Sequence, residues 1–208
     1  MNLSAPRAVE LPRWAPGQRI GLLGGSFDPA HDGHLMISQL ALSRLRLDRV
    51  WWLVTPGNPL KSQEHLPDLA ARMAAAGALA RDPRIAVAGF EAAIGARYTW
   101  QTVAWLTRRL PGVRFVWIMG ADNMRQFHLW RRWREIAAQA PIVVVARPGS
   151  SLQGPSSPAA QALQRWRVPE YDAARLASLA PPALLFLHGP RSNLSSSLIR
   201  AQTKHAGA

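Results

Sequence analysis

Residues 24–35 read Gly24-Gly25-Ser26-Phe27-Asp28-Pro29-Ala30-His31-Asp32-Gly33-His34-Leu35. They follow a short apolar run, residues 19–24, which predicts a β-strand, and they lead into residues 33–47, where apolar positions recur at helical spacing. Glycines after a strand let backbone N–H groups approach an anion, and the positive end of the next helix faces the same space. The junction therefore predicts an anion site, with His31 and His34 as donors on one side of the helix start.

The same junction argues against other nucleotide and metal sites. No Gly-Lys-Ser/Thr follows, so it is not a Walker A loop, and it is not the Gly-x-Gly-x-x-Gly of dehydrogenases. A lone histidine is more often structural than functional, but two of them after a glycine pair favour function. Zinc would need a third ligand, such as Asp28 or a distant histidine, and the spacing of the other histidines gives no ligand pattern: His65, His128 and His188.

Outward from the junction, apolar runs alternate with helical patterns. Strands are predicted at residues 50–55, 84–88, 113–119, 141–146 and 183–188. Helices are predicted at residues 66–80, 98–110, 121–127, 130–138 and 195–203, with Thr99 as a candidate cap and a Ser/Pro/Gly loop at 150–158. This alternation predicts an α/β fold, a Rossmann-like parallel sheet with helices on both faces. Ligands then bind beyond the carboxyl ends of the strands.

The composition indicates one globular domain without cysteine chemistry. The chain has 208 residues, 48% of them apolar, and we expect a single domain over residues 19–208 after an irregular lead-in, residues 1–18. No cysteine is present, which excludes a disulfide scaffold, an iron–sulfur cluster and a thiol nucleophile. Apolar runs are shorter than the roughly 20 residues of a membrane span and no signal core is evident, so we expect a cytoplasmic protein away from membranes.

The charge balance leaves two kinds of partner open. Lys and Arg total 25 against 12 Asp and Glu, a formal net charge of +13. This excess is typical of nucleic-acid-binding proteins and also of enzymes that handle polyanionic nucleotides. Basic residues alternate with aromatic rings in one cluster, Trp130-Arg131-Arg132-Trp133-Arg134. An RNA-binding protein is therefore the alternative from another class, but it leaves the glycine–histidine junction unexplained. We expect nucleotide substrates and no nucleic-acid partner.

Both ends of the chain resemble one superfamily. Residues 24–35 resemble the (H/T)-x-G-H signature of nucleotidyltransferases, which include adenylyl- and cytidylyltransferases. Near the C-terminus, Leu194-Ser195-Ser196-Ser197-Leu198-Ile199-Arg200 is similar to the late Ile-Ser-Ser-Thr-x-Ile-Arg signature of the same superfamily. Because these matches lie near the two ends of residues 19–204, the resemblance implies the nucleotidyltransferase type of fold for nearly the whole chain.

The middle of the chain is similar to the bacterial nicotinate-nucleotide adenylyltransferases. Their Ser-Tyr-Thr-x-x-Thr, Ile-Gly-x-Asp, Phe-x-x-Trp and Arg-Arg-Pro-Gly blocks are matched in order by residues 97–102, 118–122, 127–130 and 146–149. The chain departs from the pattern at a few positions. Ser26 and Ser197 stand where Thr is common, Ala146 replaces one paired arginine, and residues 55–61 lack the Pro-His-Lys/Arg form, although Lys61 still supplies a cation.

The resemblance implies adenylyl transfer from ATP to nicotinate mononucleotide, which gives nicotinate adenine dinucleotide and pyrophosphate in NAD biosynthesis. The attacking phosphate is already an anion, so the protein needs to position and stabilise charge rather than supply a base. Magnesium would arrive with ATP, and no protein metal site is expected. Two alternatives stay open within the superfamily, transfer to nicotinamide mononucleotide and transfer to pantetheine phosphate.

The resemblance also implies three sets of site residues. The predicted catalytic residues are His31, His34, Lys61 and Arg200. The predicted ATP-binding residues are Gly24, Gly25, Ser26, Phe27, His31, His34, Gly120, Asp122, Ser195, Ser196, Ser197 and Arg200. The predicted residues for nicotinate mononucleotide are Asn58, Lys61, Tyr98, Thr99, Trp130 and Arg147. Simpler explanations are helix capping for the serines and for Asp122, an exposed helix position for Arg200, and core packing for Trp130.

Overall fold

The computed structural model describes residues 9–57, 66–146 and 155–189. These residues form a seven-stranded, wholly parallel sheet with the order β3-β2-β1-β4-β5-β7-β6. The strands are β1 (Arg19–Gly25), β2 (Arg49–Val54), β3 (Ile85–Ala88), β4 (Arg114–Gly120), β5 (Ile142–Ala146), β6 (Arg167–Val168) and β7 (Leu184–His188). The predicted α/β class with a Rossmann-like parallel sheet is confirmed.

Helices cover both faces of this sheet. In the described part of the chain the α-helices are α1 (Asp32–Arg44), α2 (Leu69–Leu79), α3 (Thr99–Arg109), α4 (Ala121–Gln126), α5 (Trp133–Gln139) and α6 (Pro158–Ala162). Three 3-10 helices cover Phe127–Leu129, Gln164–Trp166 and Glu170–Ser178. One apolar core lies against α3, α4 and α5, and a second lies against α1 and α2.

The central strands are apolar throughout because both of their faces are buried. Trp51 and Trp52 are neighbours in β2 and both are 0% exposed, yet they belong to the two different cores. Successive side chains of a strand point to opposite faces, so this pair alone shows that helices cover both sides. Burying such side chains stabilises the fold by roughly 1.5–3 kcal/mol each. The prediction of a doubly covered sheet is confirmed.

Several predicted boundaries differ from the structure. The helix predicted at residues 130–138 begins at Trp133, because Arg132 holds a left-handed φ of 54° and the chain turns there. Thr99 is the first residue of α3 and not its cap, which is Tyr98. The loop predicted at 150–158 ends one residue early, since Pro158 begins α6. The helix predicted at 195–203 lies outside the described residues.

The strand order reverses beside β1, which positions the site. Helix α1 follows β1 on one face and the chain then moves to β2 and β3, whereas β4 lies on the other side of β1. Ligands of open parallel sheets bind in the crevice at such a switch point. A ligand site is therefore expected among the residues after β1, β2 and β4.

The described part of the lead-in packs against this domain. Residues 9–18 contain no helix or strand. Val9 and Leu11 nevertheless contact the core, and the Gly17 N–H donates to the carbonyl of Gly112 at 2.7 Å. No helix among the described residues has the length and apolar character that a bilayer crossing requires.

Candidate active site

The turn after β1, residues 24–27, is called here the glycine turn. Gly24 is glycine because of packing, since a Cβ built there would lie 2.7 Å from Cη2 of Trp117 in β4. Gly25 has room, because a Cβ there would make only ordinary contacts, to the Phe27 ring at 3.5 Å and to the Phe27 backbone nitrogen at 3.9 Å. Of the two predicted glycines, Gly25 is thus the one whose missing side chain the protein's own packing does not explain.

Phe27 gives the glycine turn its shape. Its φ is +48°, in the left-handed region that residues with a Cβ rarely adopt. The ring is 1% exposed and stacks on Trp52, with centroids 5.1 Å apart, and it also contacts the His34 ring at 4.6 Å. The buried ring keeps the backbone in this conformation, and such strain concentrates at functional turns. That Phe27 binds the nucleotide through its backbone stays a prediction.

His31 and His34 form a reciprocal cap on α1. The Gly33 N–H donates to Nδ1 of His31 at 3.1 Å, and the His31 N–H donates to Nδ1 of His34 at 3.2 Å. The two rings lie 3.9 Å apart, centroid to centroid, and His31 is only 6% exposed. The prediction that both histidines share one side of the helix start is confirmed.

This cap fixes where the imidazole protons lie. A nitrogen that accepts an N–H cannot carry a proton, so Nδ1 is bare in both neutral rings and Nε2 holds the hydrogen. The two Nε2–H groups are therefore donors, which is the chemistry that phosphate oxygens require. Capping and phosphate binding use different atoms of the same ring and do not compete.

A second contact fixes α1 against the neighbouring strand. Nε1 of Trp52 donates to the Ser38 hydroxyl at 2.7 Å, and that hydroxyl donates to the carbonyl of His34 at 2.8 Å. Both Trp52 and Ser38 are 0% exposed. The position of His34 is thus set from β2 as well as from its own helix.

The carboxyl end of β4 carries the predicted Gly120 and Asp122. Gly120 ends the strand and is the N-cap of α4, in extended backbone with φ −79°. Asp122 lies in the first turn of that helix and is exposed. A carboxylate there is favoured by the helix dipole, and it is also accessible to a ligand hydroxyl.

The start of α3 is ordered by Gln101. Its Oε1 accepts from the backbone N–H groups of Arg97 at 2.9 Å and Tyr98 at 3.1 Å. The N–H groups of Thr99 and Trp100 have no acceptor within the helix, because they belong to its first turn. These donors and the Thr99 hydroxyl can bind an anion. Thr99 was expected to cap the helix; a glutamine three residues after Tyr98 is the sequence signal for the observed cap.

The Phe-x-x-Trp block lies beside this helix start. The Arg131 guanidinium lies over the Tyr98 ring, 5.0 Å from its centroid, and the Arg132 guanidinium lies over Trp100 at 4.4 Å. Trp130 is half-buried and meets Trp117 and Phe127 edge-on, at 6.3 Å and 5.4 Å between centroids. The structure thus brings together the two blocks that were predicted to bind the pyridine nucleotide, and it gives Trp130 a packing role as well.

A buried carboxyl lies beneath the same helix. Glu91 is 6% exposed, and its Oε1 accepts from the Thr102 hydroxyl at 2.6 Å. Burial raises the pKa of Glu91 to about 7, although the hydrogen bond from Thr102 acts in the opposite direction. Sequence reasoning missed this residue, because a single Glu in a turn between a strand and a helix normally indicates a solvated position.

The remaining predicted site residues lie outside the described residues. They are Asn58, Lys61, Arg147, Ser195, Ser196, Ser197 and Arg200. Within residues 9–57, 66–146 and 155–189, no group of three or more His, Asp or Glu side chains is arranged to hold a metal ion.

The sequence matches a known family model and several described relatives. The family model for cytidylyltransferase-like proteins matches residues 22–202. A relative from Methylorubrum extorquens, described as a probable nicotinate-nucleotide adenylyltransferase, is 60% identical over 184 residues, 88% of this chain and 100% of its own. Relatives with the same description from a Bradyrhizobium species and from Cereibacter sphaeroides are 57% and 55% identical, over 88% and 90% of this chain and 95% and 99% of their own.

Solved structures show the same fold at low identity. The Plasmodium falciparum nicotinic acid mononucleotide adenylyltransferase complexed with NaAD is 15% identical, has a TM-score of 0.68, and is matched over 88% of this chain and 83% of its own. Its complex with APC gives 14% identity and a TM-score of 0.66 over the same shares. The sheet and its helices are therefore those of this group of proteins.

Proposed function

The chain belongs to the cytidylyltransferase-like family, among its nicotinate-nucleotide adenylyltransferases, and we propose the following division of labour for its residues. The reaction is adenylyl transfer from ATP to nicotinate mononucleotide. A phosphate oxygen of the mononucleotide bonds to the α-phosphorus of ATP, and the bond from that phosphorus to the α,β-bridging oxygen breaks. Nicotinate adenine dinucleotide forms and pyrophosphate leaves with the electron pair.

The paired histidines are the observation that supports this division. The attacking oxygen is already an anion, so the barrier falls through positioning and through donors aimed at developing charge. The Nδ1 atoms of His31 and His34 accept backbone N–H groups, at 3.1 Å and 3.2 Å, so their Nε2–H groups are the donors. We assign these donors to the triphosphate, whose charge grows on the departing pyrophosphate. The glycine turn is assigned to the nucleotide through its backbone.

Magnesium enters this proposal as part of the substrate. ATP binds Mg²⁺ through its phosphate oxygens, and the ion keeps most of its coordination to phosphate and water. The described residues offer no cluster of ligands for it. Arg200 and Ser195–Ser197 are the sequence-based candidates for the β- and γ-phosphates, and Lys61 is the candidate for the phosphate of the mononucleotide.

The start of α3 is assigned to the nicotinate carboxylate. The N–H groups of Thr99 and Trp100 and the Thr99 hydroxyl are donors, and a carboxylate only accepts. The amide of nicotinamide mononucleotide would direct its own NH₂ at donors, at a cost of roughly 1–3 kcal/mol for each unpaired group. Trp130 is assigned to the ring, which is the same in both substrates, so stacking contributes affinity and not choice.

The test is an assay of the whole chain. Pyrophosphate release is followed with ATP and each mononucleotide, by pyrophosphatase and phosphate detection. We expect kcat/KM for the acid to exceed that for the amide by about a hundredfold, the effect of two mismatched donors. Equal values, or a preference for the amide, would contradict the assignment of the α3 start and leave adenylyl transfer intact.

A further inference from the structure

Arg72 is a buried arginine that the mechanism above does not use. It lies on α2, in the alanine-rich sequence Leu69-Ala70-Ala71-Arg72-Met73, and is only 3% exposed. Arginine is almost never fully buried unless its charge has partners. The reason for its burial must therefore lie in what it contacts.

The guanidinium of Arg72 donates to four backbone carbonyls. Nη1 donates to the carbonyl of Ser26 at 2.7 Å and to that of Thr55 at 2.9 Å. Nη2 donates to Pro56 at 3.4 Å, and Nε donates to Pro67 at 2.9 Å. The planar group, with its several donors at fixed angles, can satisfy such acceptors together, and lysine cannot.

These carbonyls belong to two connections of the sheet, the one between β1 and α1 and the one between β2 and α2. Ser26 lies in the glycine turn after β1, Thr55 and Pro56 follow β2, and Pro67 precedes α2. The Thr55 N–H donates to the carbonyl of Gly25 at 3.0 Å and continues the β1–β2 ladder, and Arg72 adds a side-chain link just beyond the last paired residues. One side chain therefore holds the glycine turn against the segment that leads to Asn58 and Lys61 in the sequence.

The guanidinium of Arg72 is expected to stay charged in its buried position. Burial lowers the pKa of Arg72, while the carboxylates of Asp28 and Asp68 act to raise it. Arginine stays protonated in proteins even when its pKa falls. The cation polarises the carbonyls of the glycine turn and its neighbour, and charge-assisted hydrogen bonds of this kind are roughly twice as strong as neutral ones.

We propose that Arg72 is a positioning residue that sets the spacing between the glycine turn and the segment after β2, and hence between ATP and the attacking phosphate. This role rests on the proposed function. A displacement of about 1 Å between reacting groups can cost up to a hundredfold in rate. Arg72 therefore acts on catalysis through the two backbone segments it binds, and it need not touch either substrate.

The experiment compares Arg72→Ala and Arg72→Lys with a matched control, Arg49→Ala. Nη1 of Arg49 also donates to a backbone carbonyl, that of Pro83 at 3.4 Å, but Arg49 is at the amino end of β2, away from the site. We expect kcat for Arg72→Ala to fall at least about tenfold in protein shown to be folded by circular dichroism. Arg72→Lys should recover only part of this loss, millimolar guanidinium should partly restore the alanine variant, and Arg49→Ala should match the parent.

A purely structural role predicts a different pattern. It would lower the unfolding temperature of Arg72→Ala and leave kcat and KM of the folded fraction unchanged, which would overturn the proposal. If the alanine variant does not fold, full activity of Arg72→Lys would overturn it instead, since lysine cannot reproduce the fork. If the parent chain shows no turnover, the proposed function is contradicted, but the proposal for Arg72 is not yet tested. The dissociation constant of a non-hydrolysable ATP analogue then tests Arg72, and equal values in parent and variant would refute it.

Discussion

At the β1–α1 junction the hydrogen bonds of His31 and His34 to backbone N–H groups are buried or half-buried, whereas at the start of α3 exposed guanidinium groups lie over aromatic rings. His31 and Phe27 are under 10% exposed, and their rings order the backbone around them. Arg131 and Tyr98 meet near the surface, with a guanidinium–ring distance of 5.0 Å and a long hydrogen bond of 3.4 Å. We call these regions the junction half, residues 24–34, and the α3 half, residues 98–101 with 130–132.

This difference predicts that the junction half contributes mainly to stability and nucleotide binding, and the α3 half mainly to the choice of acceptor substrate. Substitutions in the junction half change buried contacts, so they should affect stability and every reaction of the nucleotide. Substitutions in the α3 half change surface contacts that cost little to lose, since exposed cation–π pairs contribute about 0.5–1 kcal/mol. These should alter which acceptor is used. Glu91 is the exception, because it is buried beneath the α3 half.

The largest effect is expected from that exception, as a dependence of stability on pH. The pKa of Glu91 is raised from 4.5 to about 7 in the folded protein. Between these pH values the unfolded chain has lost a proton that the folded chain retains, so stability falls as pH rises, by roughly 3 kcal/mol in all, and levels off above about pH 7. Urea unfolding at about pH 5 and about pH 8 measures this fall.

Glu91→Gln isolates the contribution of this carboxyl. Glutamine is neutral at both pH values and can still accept from the Thr102 hydroxyl. The variant should lose most of the difference in stability between the two pH values. If the parent and the variant fall by the same amount, the pH dependence arises elsewhere and the α3 half has no buried acid of consequence.

His34→Ala should have the next largest effect, on turnover. Loss of a charge-assisted donor costs about 1.5–3 kcal/mol, which lowers kcat by at least about tenfold. His188→Ala is the control, because His188 is 69% exposed and its ring pairs with Glu170 rather than with a residue of the junction half. Steady-state kinetics of folded protein measure both. Unchanged turnover in His34→Ala would remove the histidine pair from the mechanism.

Substitutions of Gly24 and Gly25 should have different effects, because Gly24 is required by packing and Gly25 is assigned to ligand contact. Gly24→Ala places a Cβ 2.7 Å from the Trp117 ring, and such overpacking costs about 1–3 kcal/mol of stability. Gly25→Ala meets only ordinary contacts in the protein, so its stability should change by less than about 0.5 kcal/mol. If the nucleotide lies against Gly25, the KM for ATP should nevertheless rise. Thermal unfolding and ATP titrations distinguish the two, and an unchanged KM would place the nucleotide away from Gly25.

The smallest effects should come from the α3 half. Trp130→Ala should raise KM for both mononucleotides alike, by about tenfold or less, because both present the same ring. Thr99→Val should weaken use of the acid more than the amide, by about 1 kcal/mol, because it removes one donor. The comparison is of kcat/KM for the two substrates in each variant. A change of preference in Trp130→Ala would mean that the ring pocket takes part in choice.

The sequence predicts those parts of the fold that depend on burial. Runs such as residues 142–146 are apolar at every position because both faces of the sheet are covered, so the strands could be found. The two-residue strand β6 and the 3-10 helix Glu170–Ser178 were not predicted. A strand of two residues has no periodicity to detect, and its pairing with β7 is set by tertiary structure.

The site could be predicted where the type of residue itself indicates its chemical role. The histidine pair and the two glycines stand in the sequence beside the strand end, and the structure brings the two histidines together at the helix start. Arg72 was not predictable, since an arginine among alanines on a helix normally faces solvent. The cap of α3 was assigned to Thr99 because threonine is a better cap than tyrosine, whereas Gln101 selects Tyr98 by accepting two backbone N–H groups.

The position of Trp117 predicts that its fluorescence reports on substrate binding. Its indole lies against Gly24 on one side and meets Trp130 edge-on, with ring centroids 6.3 Å apart. Both substrates are assigned to positions next to this ring, so its emission should change when either of them binds. The chain has nine tryptophans, and Trp130→Phe removes the neighbour that reports on the pyridine. Titration of parent and variant with ATP and with nicotinate mononucleotide would separate the two binding steps by fluorescence, without a label.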